Sequence, residues 1–265
     1  MRGLLALVAG LTLGPGLVAQ DAIHFPPTDA IVIRVMRDVP AAQLSKGFLG
    51  RTVVGATGSF SFAEFEDGAG APLHHHTREQ ANVGIQGVME MALGTHTEAL
   101  PAGAAVITPA NVRHAIRNRS GARLVSLEFH TIRRPDLVPP RPRPTVPYPV
   151  SPEPVAIPDD RPLAVQLAAP GQVSGVAMTI RGETCTVAWR RLAAGAAAAD
   201  LAPARSSAEL FVYVASGEAD LSATAVSQRV AAGTLVIIPG HLQNVMLKAA
   251  GPAEVTLVEF RPALF

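Results

Sequence analysis

Three consecutive histidines, His74, His75 and His76, followed by Gln80, are the residues of this chain whose types and spacing can do chemistry. Side chains alternate between the faces of a strand, so His74 and His76 are expected to face one way and His75 the other. Two imidazoles spaced in this way suit a single divalent metal ion. Gln80, just past a Thr77-Arg78 turn, can add a carbonyl oxygen, and His114 lies on a later segment that also reads as a strand. Glu79 competes with Gln80 for the fourth position, but spacing and parity favour Gln80. Three neutral imidazoles and a neutral amide leave the charge of a bound ion uncompensated. Such an ion would attract an anionic or enolisable oxygen ligand and polarise its carbonyl. An amide cannot take a proton, so a base must come from elsewhere. Glu64, Glu66, Glu128 and His130 are candidates, with none singled out. Arg78 and Arg113 flank the ligands and could hold an anionic substrate.

These residues need elements to hold them. With 265 residues and 48% hydrophobic content, the chain can bury the cores of two ordinary domains. A net charge of +1 and the lack of any basic run give no footing for nucleic acid. The single cysteine, Cys185, cannot form an internal disulfide, so a metal site must use nitrogen and oxygen donors. Short apolar runs such as Ile31–Val35, Gly84–Met91, Ala104–Thr108 and Arg123–Phe129 are punctuated by glycine and proline, and no long segment has helical period. That pattern predicts an all-β sandwich or barrel.

Residues 1–19 read as a signal peptide, with Arg2 before the apolar run Gly3–Leu13 and a Gly14-Pro15-Gly16 break before Leu17-Val18-Ala19. The expected location is periplasmic or secreted, with no transmembrane segment in the mature chain. Residues 135–162 hold eleven prolines in twenty-eight residues, a density that no sheet interior accepts, so this segment is expected to be a stiff linker. It separates a first domain, 20–134, from a second, 163–265.

The second domain repeats the first. An offset of 130 residues carries Glu79 onto Glu209, Gly87 onto Gly217, Gly103 onto Gly233 and Pro109 onto Pro239. The terminal strands agree too, Val125–Phe129 with Thr256–Phe260, after one extra residue.

In the first half the spacing Gly68, His74, His76, Gln80, Gly87 and then Gly103, Pro109, His114, Asn118 resembles the two conserved motifs of the cupin superfamily. The two halves together resemble a bicupin. Asn111 stands where the second motif usually has glycine, a mild departure because asparagine tolerates the left-handed conformation. The resemblance implies two double-stranded β-helix, or jelly-roll, barrels, with His74, His76, Gln80 and His114 as ligands of one divalent transition-metal ion inside the first. Zn, Mn, Fe, Ni and Cu are all open. A set of three histidines and a glutamine is similar to that of isomerases in the superfamily.

In the second half the ligand positions become Ala204, Ser206, Leu210 and Asn244, so that barrel is expected to be metal-free, its interior filled by Leu210, Val212 and Val214. In the first half the opposite face of the Gln80 strand carries Ala81, Val83 and Ile85, an apolar row that needs cover from the second domain or from another copy in a homodimer. His24, His96 and His130 are isolated in the sequence and are expected to have surface or core roles, and His241 is expected to be a loop residue. The expected function is a metal-dependent isomerase, tautomerase or lyase acting on a small oxygenated anion. A metal-dependent dioxygenase and a non-catalytic metal or small-ligand binder are the alternatives.

Overall fold

The computed structural model describes residues 23–24, 30–94, 96–131, 165–168, 174–175, 177–198, 201, 208–223 and 226–262. The signal peptide and the linker expected from sequence lie outside these residues, as do Ala204 and Ser206.

Apart from one 3-10 turn at Met36–Asp38, the regular structure described is all strand. The strands before the proline-rich segment are β1 (Ile23–His24), β2 (Val32–Val35), β3 (Ala42–Ser45), β4 (Phe48–Val54), β5 (Gly58–Phe65), β6 (Gly70–His74), β7 (Gln80–Gln86), β8 (Val88–Leu93), β9 (His96–Pro101), β10 (Ala104–Thr108), β11 (His114–Asn118) and β12 (Leu124–Thr131). After it come β13 (Val165–Gln166), β14 (Ala177–Arg181), β15 (Cys185–Leu192), β16 (Ala197–Ala198), β17 (Leu210–Ser216), β18 (Glu218–Ala223), β19 (Val226–Ala231), β20 (Thr234–Ile238), β21 (Met246–Ala249) and β22 (Val255–Pro262).

Each half is a large sheet facing a small one. In the first the orders are β1-β4-β5-β12-β7-β10-β13 and β6-β11-β8-β9; in the second they are β14-β15-β22-β17-β20-β2 and β16-β21-β18-β19. Apart from β1 and β3, which flank β4 and have no described counterpart, the two orders correspond strand for strand, as the repeat required. One feature breaks the simple division of the chain. Strand β2 comes from the first half of the sequence but pairs with β20, while β13 comes from beyond the proline-rich segment and pairs with β10. The division at residues 134 and 163 therefore does not separate the sheets, because each large sheet borrows its edge strand from the other half.

The turns explain why the strands fall where they do. Gly87 and Gly217, the matched glycines of the repeat, have φ of 81° and 76°, and a Cβ there would lie 3.0 Å from the Arg123 carbonyl and 2.4 Å from the Glu254 carbonyl.

Three apolar cores result. One fills the first sandwich, around Phe48, Phe65, Met89, Met91 and Leu124, and a second fills the other, around Leu210, Val212, Val214, Leu247 and Leu257. The third lies between the two large sheets, where Ala81, Val83, Leu127 and Phe129 meet Val187, Tyr213, Val258 and Phe260. There the Phe129 and Phe260 rings stack at 4.7 Å. The outward row on β7 is thus covered by the second half of the same chain, and it makes no demand for a second copy.

Candidate metal centre

The first sandwich is not filled throughout. Beside its apolar core is a cavity of about 270 Å³, with His74, His76, Gln80, His114, Glu128 and His130 in its wall. Strand pairing brings these residues together. His74, at the end of β6, is the direct cross-strand partner of His114, which opens β11. Gln80, which opens β7, is the partner of His130 on β12. The ring centroids of His74 and His114 are 4.3 Å apart and those of His74 and His76 4.8 Å, and the nearest ring nitrogens of the three all lie within 4.8 Å of one another. His76 lies just past β6, and its carbonyl accepts the Asn111 N–H at 2.7 Å. Asn111 adopts the left-handed conformation, φ 65°, that its place in the motif calls for.

Hydrogen bonds orient the donors. The Nδ1–H groups of His74 and His114 donate to the Pro72 and Val112 carbonyls, at 2.6 and 3.0 Å, which leaves both Nε2 lone pairs for the cavity. The Gln80 amide N–H donates to Asn82 Oδ1 at 3.0 Å and turns Gln80 Oε1 toward His114 Nε2, also at 3.0 Å. In that tautomer two acceptors face one point, an arrangement that a cation between them makes favourable. Burial, reinforced by the neighbouring histidines, holds His76 down at about pKa 3. Burial holds His114 at about 4 and His130 well below its ordinary value. At neutral pH these rings are uncharged, the form that ligates a metal.

The structure also sorts the candidate bases. Glu64 is on the outer face of β5 and is paired with Arg51 and Arg123. Glu66 is exposed and outside the cavity wall. Glu128 and His130, by contrast, project into the cavity from β12. No described residue gives the Glu128 carboxyl a hydrogen bond, and burial pushes its pKa up to about 7. The His76 and His130 rings meet edge to face at 4.8 Å, and His130 Nδ1 is buried without a partner. Asn82 Nδ2 and Thr108 Oγ1, on residues flanking Gln80, are also unpartnered. His130 stands apart from the other histidines in the sequence, and its register opposite Gln80 is what brings it to the cluster.

Arg78 reaches the cavity wall, whereas Arg113 does not, and His75 and His96 also lie outside the wall. The wall also holds apolar side chains, Leu44, Phe48, Met91 and Ile116. Glu79 is buried away from the wall and is bound to the second half. In that half Leu210 is fully buried in a packed core, and Asn244 and His241 are exposed. The side chain of His24 lies outside the described residues.

Residues 61–129 match the family described as a cupin domain. Among solved structures the chain is similar to AerE from Microcystis aeruginosa, at 12% identity over 84% of this chain and 96% of that one, with a TM-score of 0.64. It is similar as well to the oxalate decarboxylase of Lactobacillus farciminis in complex with formate, at 14% identity over 91% and 88%, with a TM-score of 0.68. A variant of the Bacillus subtilis oxalate decarboxylase matches at 14% identity over 92% and 79%, with a TM-score of 0.66. Likeness at these identities is likeness of fold. No curated protein matches the sequence.

Proposed function

From the premise that the chain belongs to the cupin superfamily, we propose that it is a metal-dependent lyase or isomerase that moves a proton on a small carboxylate-bearing substrate. His74, His76 and His114, with the Gln80 carbonyl oxygen, would hold one divalent transition-metal ion. The two acceptors facing each other at 3.0 Å fit that assignment. Bound there, the ion would polarise a substrate oxygen as a Lewis acid.

The observation that carries the reading is the place of Glu128: its carboxyl stands in the wall of the cavity that holds the histidines and takes no hydrogen bond from a described residue, and in the metal-free protein burial pushes its pKa up to about 7. A group poised near neutrality can take a proton and return it. Gln80 cannot, so its presence as the fourth donor leaves the proton to Glu128. Arg78 supplies a positive charge at the wall for a substrate carboxylate. Ser59 and Ser61 offer hydroxyls to its other oxygens, and the apolar side chains in the wall, Phe48, Met91 and Ile116, would keep water from the reacting carbon. The shared fold with oxalate decarboxylases accords with chemistry at a carboxylate. The apolar run within residues 1–19 supports work outside the cytoplasm.

The test begins with elemental analysis of the purified protein beside His76→Ala and Asn244→Ala. About one ion per chain is expected, lost in the first variant and kept in the second. The loaded protein is then incubated in D2O with a panel of α-keto and α-hydroxy acids, and deuterium entry at carbon is followed by NMR. Glu128→Gln should slow it by about 100-fold or more while the ion stays bound. Oxygen uptake by an iron- or copper-loaded protein would instead support the dioxygenase, and a bound ion with no reaction on any substrate would support the binder.

A further inference from the structure

The second half carries none of the donors, yet it grips the first half beside two of the cavity residues. Glu79, the chain neighbour of Gln80, is buried, and its carboxylate accepts the N–H of Glu183 at 2.8 Å, the N–H of Thr184 at 2.6 Å and the Thr184 hydroxyl at 2.7 Å. Both donor residues belong to the turn between β14 and β15. The same turn reaches the chain neighbour of His130, with the Thr131 and Thr184 hydroxyls 3.4 Å apart. Gln80 and His130 are cross-strand partners. One turn of the second half therefore holds the residues next to both.

The repeat supplies a matching clasp in the other direction. Glu209 accepts the Thr57 N–H at 3.0 Å and the Thr57 hydroxyl at 3.3 Å, from the turn between β4 and β5. There the next residue is Leu210, which ligates nothing, and Pro262 occupies the place of Thr131 and offers no hydroxyl. Each turn carries a glycine against its glutamate. A Cβ on Gly182 would sit 2.7 Å from both Glu79 oxygens, and one on Gly55 would sit 2.4 Å from Glu209 Oε2.

We infer that the Gly182–Thr184 turn, acting through Glu79, positions the Gln80 carbonyl oxygen, so that the ligand-free half completes the metal centre of the other. The physical reason is local. Gln80 has a flexible side chain and, among the described residues, its amide N–H donates only to Asn82. The direction of its oxygen then depends on where the backbone enters β7. Glu79, held by both carboxylate oxygens, fixes that entry. Glu79 is a positioning residue, and this role rests on the reading of Gln80 as a ligand.

The pair of clasps gives the experiment its own control. Glu79→Gln and Gly182→Ala disturb the clasp beside Gln80; Glu209→Gln and Gly55→Ala disturb the one beside Leu210. In the full chain, titrated with Co2+ as the probe, the first two variants should bind about tenfold more weakly and shift the visible cobalt absorption. The second two should keep wild-type affinity and spectrum while losing thermal stability to a similar degree. In the metal-free protein, the Gln80 side-chain amide resonance should be sharp in wild type and Glu209→Gln and broadened in Glu79→Gln. Gly182→Ala repeats the test if Glu79→Gln does not fold. If both clasps affect only stability, with spectrum and amide resonance unmoved, the inference is overturned and the clasps merely hold the halves together. If wild type binds no Co2+, the metal reading fails by itself, and the amide resonance still decides whether Glu79 positions Gln80.

Discussion

Glu64 and Glu128 show how much a carboxylate owes to its surroundings. They come from adjacent strands of one sheet, but Glu64 faces outward between two arginines, whereas Glu128 faces a cavity with no hydrogen-bond partner among the described residues. Burial disfavours the charged form of an unpaired carboxyl, so its folded pKa rises, here from 4.5 to about 7. The folded state then binds more protons than the unfolded state between those values. The stability linked to Glu128 is fully present below about pH 4.5 and is lost as pH rises through about 7. Replacement by a neutral isostere should remove that loss. In the metal-free protein Glu128→Gln is expected to raise stability at pH 8 by about 1–2 kcal/mol, less than full conversion of the shift because the group opens on the cavity. At pH 4.5 it should change little, as thermal melts at the two pH values would show. Equal effects at both would mean that the carboxyl is hydrated.

At the scale of elements, the informative strands are those apolar on both faces. On β17, Leu210, Val212 and Val214 fill the second sandwich while Phe211 and Tyr213 face the neighbouring large sheet. Burial on both faces gives a strand a continuous apolar run in place of alternation. Strand β2 follows the same logic from a distance: Val32 joins the core between the sheets and Ile33 packs on the second sandwich. Ile33 pairs with Val236, so β2 is part of the second half's sheet although in the chain it lies between β1 and β4 of the first. Ile33→Asp would set a charge against that core, with an expected cost of about 2–3 kcal/mol measured by urea unfolding. A change within about 0.5 kcal/mol, typical of exposed positions, would mean that β2 contributes no packing.

Across the whole molecule, the core between the large sheets and the two reciprocal glutamate clasps make separate unfolding of the halves unfavourable. Trp189, the single tryptophan, is buried in that core. Its fluorescence and the far-ultraviolet circular dichroism of the strands should change together in denaturant, with one midpoint. Two transitions by circular dichroism, with Trp189 following only one, would show that the halves fold independently.

The sequence by itself determined which residues meet in the cluster and that the chain repeats. His74, His76, Gln80 and His114 stand at spacings that a strand, a turn and a second strand convert into one cluster, and Asn111 marked its own left-handed turn. Spacing is legible because it is covalent: the period of a strand carries it directly into space. The absence of histidine and glutamine from the matching positions of the second half, and its filling by Leu210, Val212 and Val214, could be read in the same way. Tertiary structure alone decided which face of β12 is the inside. Leu127 and Phe129 look like interior residues, yet they pack against the other half, and it is Glu128 and His130 that enter the cavity. It also decided that β2 and β13 exchange halves and that Glu79 reaches Thr184, 105 residues away. Those outcomes depend on which surface covers which, and an apolar residue buried inside a barrel is written in the sequence in the same letters as one buried between two barrels.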